Sequence, residues 1–163
     1  MRIENYQNQF EKELIELIAH YRVVLGKLKG IEGTIDLKNA KGELDYYKRK
    51  NYPIFVAIGD NGRVIGFVAC RVDDEVVWDE ASYIIPEERR KGIGPLLFEK
   101  AEALAKKFGN DTVYNWVHPN NDASILMLKK QGYDVLNLIE IRRKLPDEKL
   151  TTTIKVGNHE FKY

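Results

Sequence analysis

The stretch that decides the fold is Tyr83–Leu104, YIIPEERRKGIGPLLFEKAEAL. It begins as the end of an apolar strand and continues, from Ile93 onward, with apolar residues at the three- and four-residue spacing of a helix. Pro95 falls in the first helical turn, where a missing N–H costs little. The stretch therefore predicts a strand, a loop with two glycines and a helix in direct succession.

The loop between the strand and the helix has the chemistry of an anion site. Free backbone N–H groups at a helix N-terminus bind phosphate oxygens, and the glycines Gly92 and Gly94 let the backbone approach closely. Arg89, Arg90 and Lys91 add positive charge. A basic turn that merely caps a surface helix has the same composition. The glycine register matches neither the nucleotide P-loop nor the dinucleotide fingerprint.

Upstream of this stretch the pattern predicts two helices and three strands. Apolar residues recur at helical spacing from Phe10 to Leu28, and a second helix is predicted from about Asp36, its N-cap, to Lys50. The segment 54–72, IFVAIGDNGRVIGFVACRV, reads as two strands joined by a tight turn at 60–62. A third strand is predicted over 76–85.

Downstream, the pattern predicts a strand over 112–117, a helix over 121–131 and a strand-rich stretch over 133–145. Hairpins followed by strand–helix–strand units predict an α/β (α+β) fold, with a mixed, mostly antiparallel sheet and about four helices on its faces. Residues 1–145 would form one domain. Residues 146–163 would form a short appendage with a hairpin at its Gly-Asn pair, 157–158.

Composition limits the range of functions. A chain of 163 residues with 44% hydrophobic content can bury the core of one domain. The net charge of +1 provides no field for nucleic acid or membrane. The single cysteine excludes a disulfide framework and a multi-thiolate metal site, and we expect no metal. No secretory signal opens the sequence, so a cytoplasmic location is expected.

Two motifs carry a family resemblance. The spacing Arg89-x-x-Gly92-x-Gly94 after a strand resembles the acetyl-CoA signature of the GNAT superfamily of N-acetyltransferases. The segment 121–133, NDASILMLKKQGY, is similar to that superfamily's next helix and its following glycine and aromatic residue. The resemblance covers about residues 52–145. It implies a GNAT fold and transfer of an acetyl group from acetyl-CoA to a primary amine by direct attack in a ternary complex.

The resemblance also implies which residues bind the cofactor. The pyrophosphate would lie on the loop formed by Arg89, Arg90, Lys91, Gly92, Ile93 and Gly94. The pantetheine arm would pair with the backbone of Tyr83, Ile84 and Ile85. Asn121 and Ser124 would lie beside the arm, although Asn121 is equally explained as a helix cap.

The general base is expected on the strand that precedes the loop. Alternation places Trp78, Glu80, Ser82 and Ile84 on one face and Asp79, Ala81 and Tyr83 on the other. The resemblance implies a base on the face of Ile84. Glu80 is therefore the candidate base, with Asp79 second, and a structural salt bridge is the alternative explanation of either carboxylate.

One position departs from the family pattern. The tyrosine that usually protonates the leaving thiolate would fall at Leu128, which cannot donate a proton, and Tyr133 has the offset of a core aromatic instead. A catalytically weak or inactive module that binds acyl-CoA as a sensor or regulator is therefore the alternative function. The sequence selects no acceptor among protein lysines, protein N-termini and small amines. The terminal hairpin could pair with a second chain to form a homodimer.

Overall fold

The computed structural model describes residues 1–110, 112–146 and 148–163, so Asp111 and Asp147 lie outside the description. Within these ranges the chain forms four α-helices and two sheets. The helices are α1 (Glu11–Leu28), α2 (Leu37–Arg49), α3 (Ile93–Lys107) and α4 (Asp122–Lys130). The strands are β1 (Arg2–Asn5), β2 (Ile54–Ile58), β3 (Val64–Asp73), β4 (Val76–Ile84), β5 (Tyr114–Asn115), β6 (Thr153–Val156) and β7 (His159–Lys162).

The main sheet has the strand order β1-β2-β3-β4-β5. Its pairs are antiparallel except β4 with β5, which is parallel. This arrangement confirms the predicted mixed, mostly antiparallel sheet. Strand β1 was not predicted, because its four residues, RIEN, are too few and too polar to show an alternating pattern. It forms through pairing with β2, from Arg2 opposite Ile58 to Asn5 opposite Phe55.

Helices cover both faces of the sheet. Helices α1 and α2 pack on one face, where Leu14, Leu44 and Phe67 are fully buried. Helix α3 packs on the other face in a second core cluster that also receives Leu128 from α4. Both predicted N-terminal helices are confirmed, and the Asp36 side chain caps α2 by accepting a hydrogen bond from a backbone N–H. None of the helices in the described ranges combines the length and apolarity that a membrane span requires.

A β-bulge in β4 changes which side chains share a face. Ala69 of β3 lies opposite Ala81, but the next residue, Cys70, lies opposite Asp79, so Glu80 is the extra residue. The predicted alternation is therefore wrong beyond this point. Ala81 and Tyr83 pack with the α1 side, whereas Ile84 packs with the α3 side.

The bulge also brings together two side chains that regular alternation would separate. The Ser82 hydroxyl donates a hydrogen bond to Asp79 Oδ2 at 2.8 Å. Residues three apart on a regular strand point to opposite faces. Because of the extra residue, Asp79 and Ser82 share the α3 side, and Glu80 faces the α1 and α2 side with Arg71.

The predicted strand over 133–145 is wrong. These residues carry a strand-like apolar pattern, but a strand needs a partner, and none is paired within the described ranges. Their large apolar side chains are exposed, most of all Val135 at 85% and Leu138 at 77%. The predicted C-terminal hairpin is present as β6 and β7, and Gly157 adopts the left-handed backbone that its turn needs.

Candidate active site

Strands β4 and β5 pair over two residues each and then part. Trp78 lies opposite Tyr114 and Asp79 opposite Asn115. Beyond Asp79, the edge of β4 on this side has no strand partner within the described ranges. The open edge runs from Glu80 to the loop before α3, and its first five residue steps span about 16 Å at about 3.3 Å per residue. An extended chain could pair with this edge.

Some backbone groups along this edge already bond to β3, so only the others can bind a ligand. The Ile85 N–H donates to the Ile65 carbonyl of β3 at 3.0 Å. It is therefore not free to bind the pantetheine arm, contrary to the prediction for Ile85. In an antiparallel ladder every second residue bonds to the same neighbour. Tyr83 therefore also bonds toward β3, and the Ile84 N–H points to the open edge. The Ser82 backbone, two residues earlier, points the same way.

The loop after β4 presents free donors at the start of α3. Gly92 is the N-cap residue, with a left-handed φ of 82°, and no side chain caps the helix. The first turn contains no acidic residue, and the first backbone bond of the helix runs from Leu96 N–H to the Gly92 carbonyl at 3.4 Å. The preceding N–H groups and the helix dipole are therefore available to an anion.

Gly94 leaves its backbone uncovered. A Cβ atom at this position would lie 3.6 Å from Ile84 Cδ1 and 3.8 Å from Met127 Sδ, which are ordinary van der Waals contacts. The protein itself therefore has room for a side chain there. Its absence exposes the first turn of α3 between β4 and α4, and this fits a phosphate group approaching the backbone closely.

The three basic residues of the loop differ in their contacts. Arg89 Nε donates to the Ile84 carbonyl at 2.9 Å, and the guanidinium lies over the Tyr83 ring at 5.4 Å. Arg89 thus fixes the loop against β4. Lys91 forms a surface ion pair with Glu88 at 3.0 Å. Arg90 is exposed, has a left-handed φ of 60° and forms no ion pair within the described ranges.

Helix α4 borders the loop through Met127, and the predicted ligand residues Asn121 and Ser124 lie at its start. Asn121 Oδ1 accepts a hydrogen bond from Ser124 N–H at 3.3 Å. Asn121 is therefore the cap of α4. Contact of either side chain with the pantetheine arm stays a prediction.

A charged and aromatic cluster lies where β4 and β5 part. We call Arg71, Glu80, Trp78 and Trp116 the Arg71–Glu80 cluster. Arg71 Nε lies 3.5 Å from Glu80 Oε2, and the guanidinium lies 4.9 Å and 4.5 Å from the centres of the Trp78 and Trp116 rings. Sequence reasoning identified Glu80 but missed the other three residues. The signal was a basic residue within an apolar strand, Arg71, with one tryptophan on β4 and another directly after β5.

Asp79 is a second carboxylate with unusual surroundings. Burial raises its pKa from 3.8 to about 6, the Ser82 hydrogen bond lowers it in part, and the charge of Glu80 raises it further. Its Oδ1 atom is buried without a hydrogen-bond partner in the described ranges. A carboxylate with such a pKa can accept a proton near neutral pH. Burial, with a smaller effect of Asp79, raises the pKa of Cys70, so its thiol stays protonated.

Neither Leu128 nor Tyr133 can serve as the proton donor that the family tyrosine usually provides. Leu128 is 7% exposed and packs in the core below α3. The Tyr133 hydroxyl donates to Glu102 at 3.0 Å and accepts from Val113 N–H at 3.3 Å, so it is committed to the core, as the sequence predicted.

A cleft of about 660 Å³ lies on the other side of the loop, between α1, the turn of the β2–β3 hairpin and Lys91. Its lining carries the carboxylates of Glu13, Glu16, Asp60 and Glu88, which outnumber its basic side chains. Three of these carboxylates are paired with positive groups: Glu13 with Arg63, Asp60 with the N-terminal amine and Glu88 with Lys91. Gly94, by contrast, lies on the side of the loop that faces β4 and α4.

The sequence and fold match known proteins. A profile of the acetyltransferase (GNAT) family matches residues 25–133. The chain belongs to the GNAT family. This membership confirms the resemblance, and the fold is the one that the resemblance implied.

Two curated relatives illustrate the range of the GNAT family. An uncharacterized N-acetyltransferase of Methanocaldococcus jannaschii is 32% identical over 87 residues, which are 49% of this chain and 38% of the relative. An L-methionine sulfoximine/L-methionine sulfone acetyltransferase of Pseudomonas aeruginosa is 25% identical over 130 residues, 76% of each chain. The match to the archaeal relative thus spans well under half of that protein.

Solved GNAT structures share the fold. An aminoglycoside 6'-N-acetyltransferase from Acinetobacter haemolyticus superposes with a TM-score of 0.70 at 19% identity, covering 90% of this chain and 100% of that one. A phosphinothricin acetyltransferase from Sinorhizobium meliloti, solved with acetyl-CoA, gives a TM-score of 0.65 at 20% identity, covering 80% and 73%.

Proposed function

We propose that this GNAT-family protein transfers an acetyl group from acetyl-CoA to a primary amine by direct attack in a ternary complex. The observation that carries the proposal is the uncapped N-terminus of α3, joined by the open edge of β4 to two carboxylates. Acetyl-CoA supplies an activated thioester. The loop from Arg89 to Gly94 would hold its pyrophosphate, and the Ser82 and Ile84 backbone would hold its arm.

The reaction needs one proton acceptor from the protein. The amine nitrogen forms a bond to the acetyl carbon, and the bond between that carbon and sulfur breaks. Glu80 takes one proton from the bound ammonium group to give the neutral amine that attacks, and the nitrogen loses its second proton to solvent as the thiolate leaves. The thiolate leaves with the electron pair and takes a proton from solvent, since a free thiol has a pKa of about 8.5.

Asp79 is the second candidate for the base, because its pKa is raised to about 6. Removing a general base costs on the order of 10²- to 10⁴-fold in rate. Glu80→Gln should therefore lower kcat by that factor at pH 7.5, while Asp79→Asn should leave most of the activity. The opposite pattern would assign the base to Asp79.

The test is the release of free CoA thiol from acetyl-CoA, followed with and without an amine. We expect release that depends on the amine and gives an N-acetylated product by mass spectrometry. The acceptors to compare are free amino acids, a lysine peptide with a blocked N-terminus and a peptide with a free N-terminus. Release at the same rate without any amine would indicate a hydrolase and refute the proposal.

A binding module without catalysis is the second candidate function. The observation in its favour is Leu128, which is buried and leaves the leaving thiolate without a tyrosine donor. Such a module would be stabilised by acetyl-CoA yet release no thiol with any of these acceptors. The two carboxylates at the end of the open edge favour the enzyme.

A further inference from the structure

We propose that the acceptor is a free α-amino acid with an apolar side chain, whose carboxylate binds Arg71 and whose amino group binds Glu80. This inference rests on the proposed acetyltransfer, and it selects among the acceptors that the family leaves open. Arg71 would be the residue that determines specificity for the carboxylate.

The Arg71 guanidinium is largely buried but has no hydrogen-bond acceptor in the described ranges. The guanidinium lies against the rings of both Trp78 and Trp116, and the side chain is 21% exposed. It makes no hydrogen bond inside the described ranges, and its Nε is buried. Its charge is met by Glu80 and the two indole rings, but a half-buried guanidinium whose N–H groups lack hydrogen-bond acceptors is costly. Its planar fork fits a carboxylate, which can accept two parallel hydrogen bonds.

The Glu80 carboxylate likewise lacks hydrogen-bond donors. Its side chain is 24% exposed, and its Oε2 atom is buried without a hydrogen-bond partner in the part of the chain described here. The nearest positive charge, Arg71 Nε at 3.5 Å, is not aligned for a hydrogen bond. An ammonium group supplies three N–H donors and positive charge to such a carboxylate.

The closeness of these two groups selects a zwitterion. A simple alkylamine or a lysine side chain would satisfy Glu80 but meet repulsion from Arg71. A peptide N-terminus carries its amine next to an amide and leaves Arg71 without a carboxylate. An α-amino acid carries both charged groups on one carbon, so one ligand can supply the hydrogen bonds that both side chains lack.

The walls of the cluster favour an apolar side chain. The Trp116 ring is 61% exposed beside the charged pair, and the Trp78 ring packs 5.0 Å from both Trp116 and Tyr114. An apolar side chain of the ligand would cover this exposed indole. Glu80 also stands at the start of the open edge of β4, so the bound amine would lie where the acetyl group arrives.

The experiment is calorimetric titration of the CoA-saturated protein with L-methionine, L-leucine and L-phenylalanine, each compared with its α-carboxamide. Loss of a charge-assisted hydrogen-bonded pair weakens binding roughly 10- to 100-fold. We expect at least one acid to bind more tightly than its amide by that factor. Arg71→Met keeps an apolar side chain against the indoles and should abolish this preference. Arg63→Gln, at an exposed arginine on the β2–β3 hairpin, is the matched control and should preserve it.

A merely structural role of Arg71 would weaken acid and amide equally, so the difference between the two ligands is the decisive readout. Equal binding of acid and amide, or no binding of any of the three acids, would overturn the inference. Acetylation of a lysine peptide or a peptide N-terminus in the same preparation would then leave the proposed acetyltransferase intact. Loss of acetyl-CoA binding would instead remove the proposed function itself, and thermal unfolding with acetyl-CoA measures that separately.

Discussion

Replacing Asp79 by asparagine should stabilise the protein at neutral and alkaline pH. Burial raises the pKa of Asp79 from 3.8 to about 6, so the folded state binds its proton more tightly than the unfolded state does. The charged carboxylate is thus a cost to folding above pH 6. Asparagine has nearly the same shape, carries no charge and can still accept the hydrogen bond from Ser82.

The size of the effect follows from the pKa difference. A tenfold change in proton affinity corresponds to about 1.4 kcal/mol, so ionised Asp79 lowers the free energy of unfolding by about 3 kcal/mol at pH 8. At pH 4 the folded protein keeps the proton and the unfolded chain is about half protonated. The stability difference between variant and wild type should therefore shrink below about 1 kcal/mol at that pH.

Urea unfolding of the wild type and Asp79→Asn at pH 4, 6 and 8 measures this difference. Asp73→Asn is the matched control, because Asp73 is an exposed carboxylate at the end of β3, the strand that pairs with β4. This variant should change the free energy of unfolding little at any pH. A variant that is equally stable or less stable than the wild type at pH 8 would refute the account of Asp79. A gain of the same size at all three pH values would also refute it.

Three further changes test the packing around the site, each by urea unfolding. Asn121→Ala removes the cap of α4 and should cost about 0.5–2 kcal/mol, whereas Asn121→Asp should retain the cap. Tyr133→Phe removes the hydroxyl that contacts Glu102 and Val113 and should cost about 1 kcal/mol; no loss would mean that these bonds contribute nothing net. Leu128→Tyr places a larger side chain in a filled core and should destabilise by about 1–3 kcal/mol without raising the rate of thiol release. A faster release would show that the side chain at position 128 reaches the leaving thiolate of acetyl-CoA.

The parts of the fold that sequence could predict are those with local signals. Particular residue types are required at the turn at 60–62, at the cap Asp36 and at the glycines that begin α3, and the structure has the expected elements there. Strand β1 has no such signal and forms through its long-range pairing with β2. The segment 133–145 has the pattern of a strand but lacks a partner, and residue pattern alone cannot report a missing partner.

The candidate site also has one part that the sequence could predict and one part that it could not. The loop could be read from contiguous residues, because a helix N-terminus is a local feature. The Arg71–Glu80 cluster could not, since it depends on a bulge that is visible only in the register between β3 and β4. The bulge places Glu80 beside Arg71 and separates it from Ser82 and Ile84, with which the simple alternation had grouped it.

The measurement that tests the central claim most directly is thermal unfolding with and without acetyl-CoA, in the wild type and in Gly94→Asp. Acetyl-CoA at 100 times its Kd should stabilise the wild type by about 2.7 kcal/mol, which raises Tm by roughly 5–10 °C in a domain of this size. An aspartate in the first turn of α3 favours the helix but places negative charge where the pyrophosphate would bind. Gly94→Asp should therefore fold and show no shift, while Gly94→Ala, which adds a methyl group but no charge, should lose less of the shift. A wild type that is unmoved by millimolar acetyl-CoA, or a full shift in Gly94→Asp, would contradict the account of the loop.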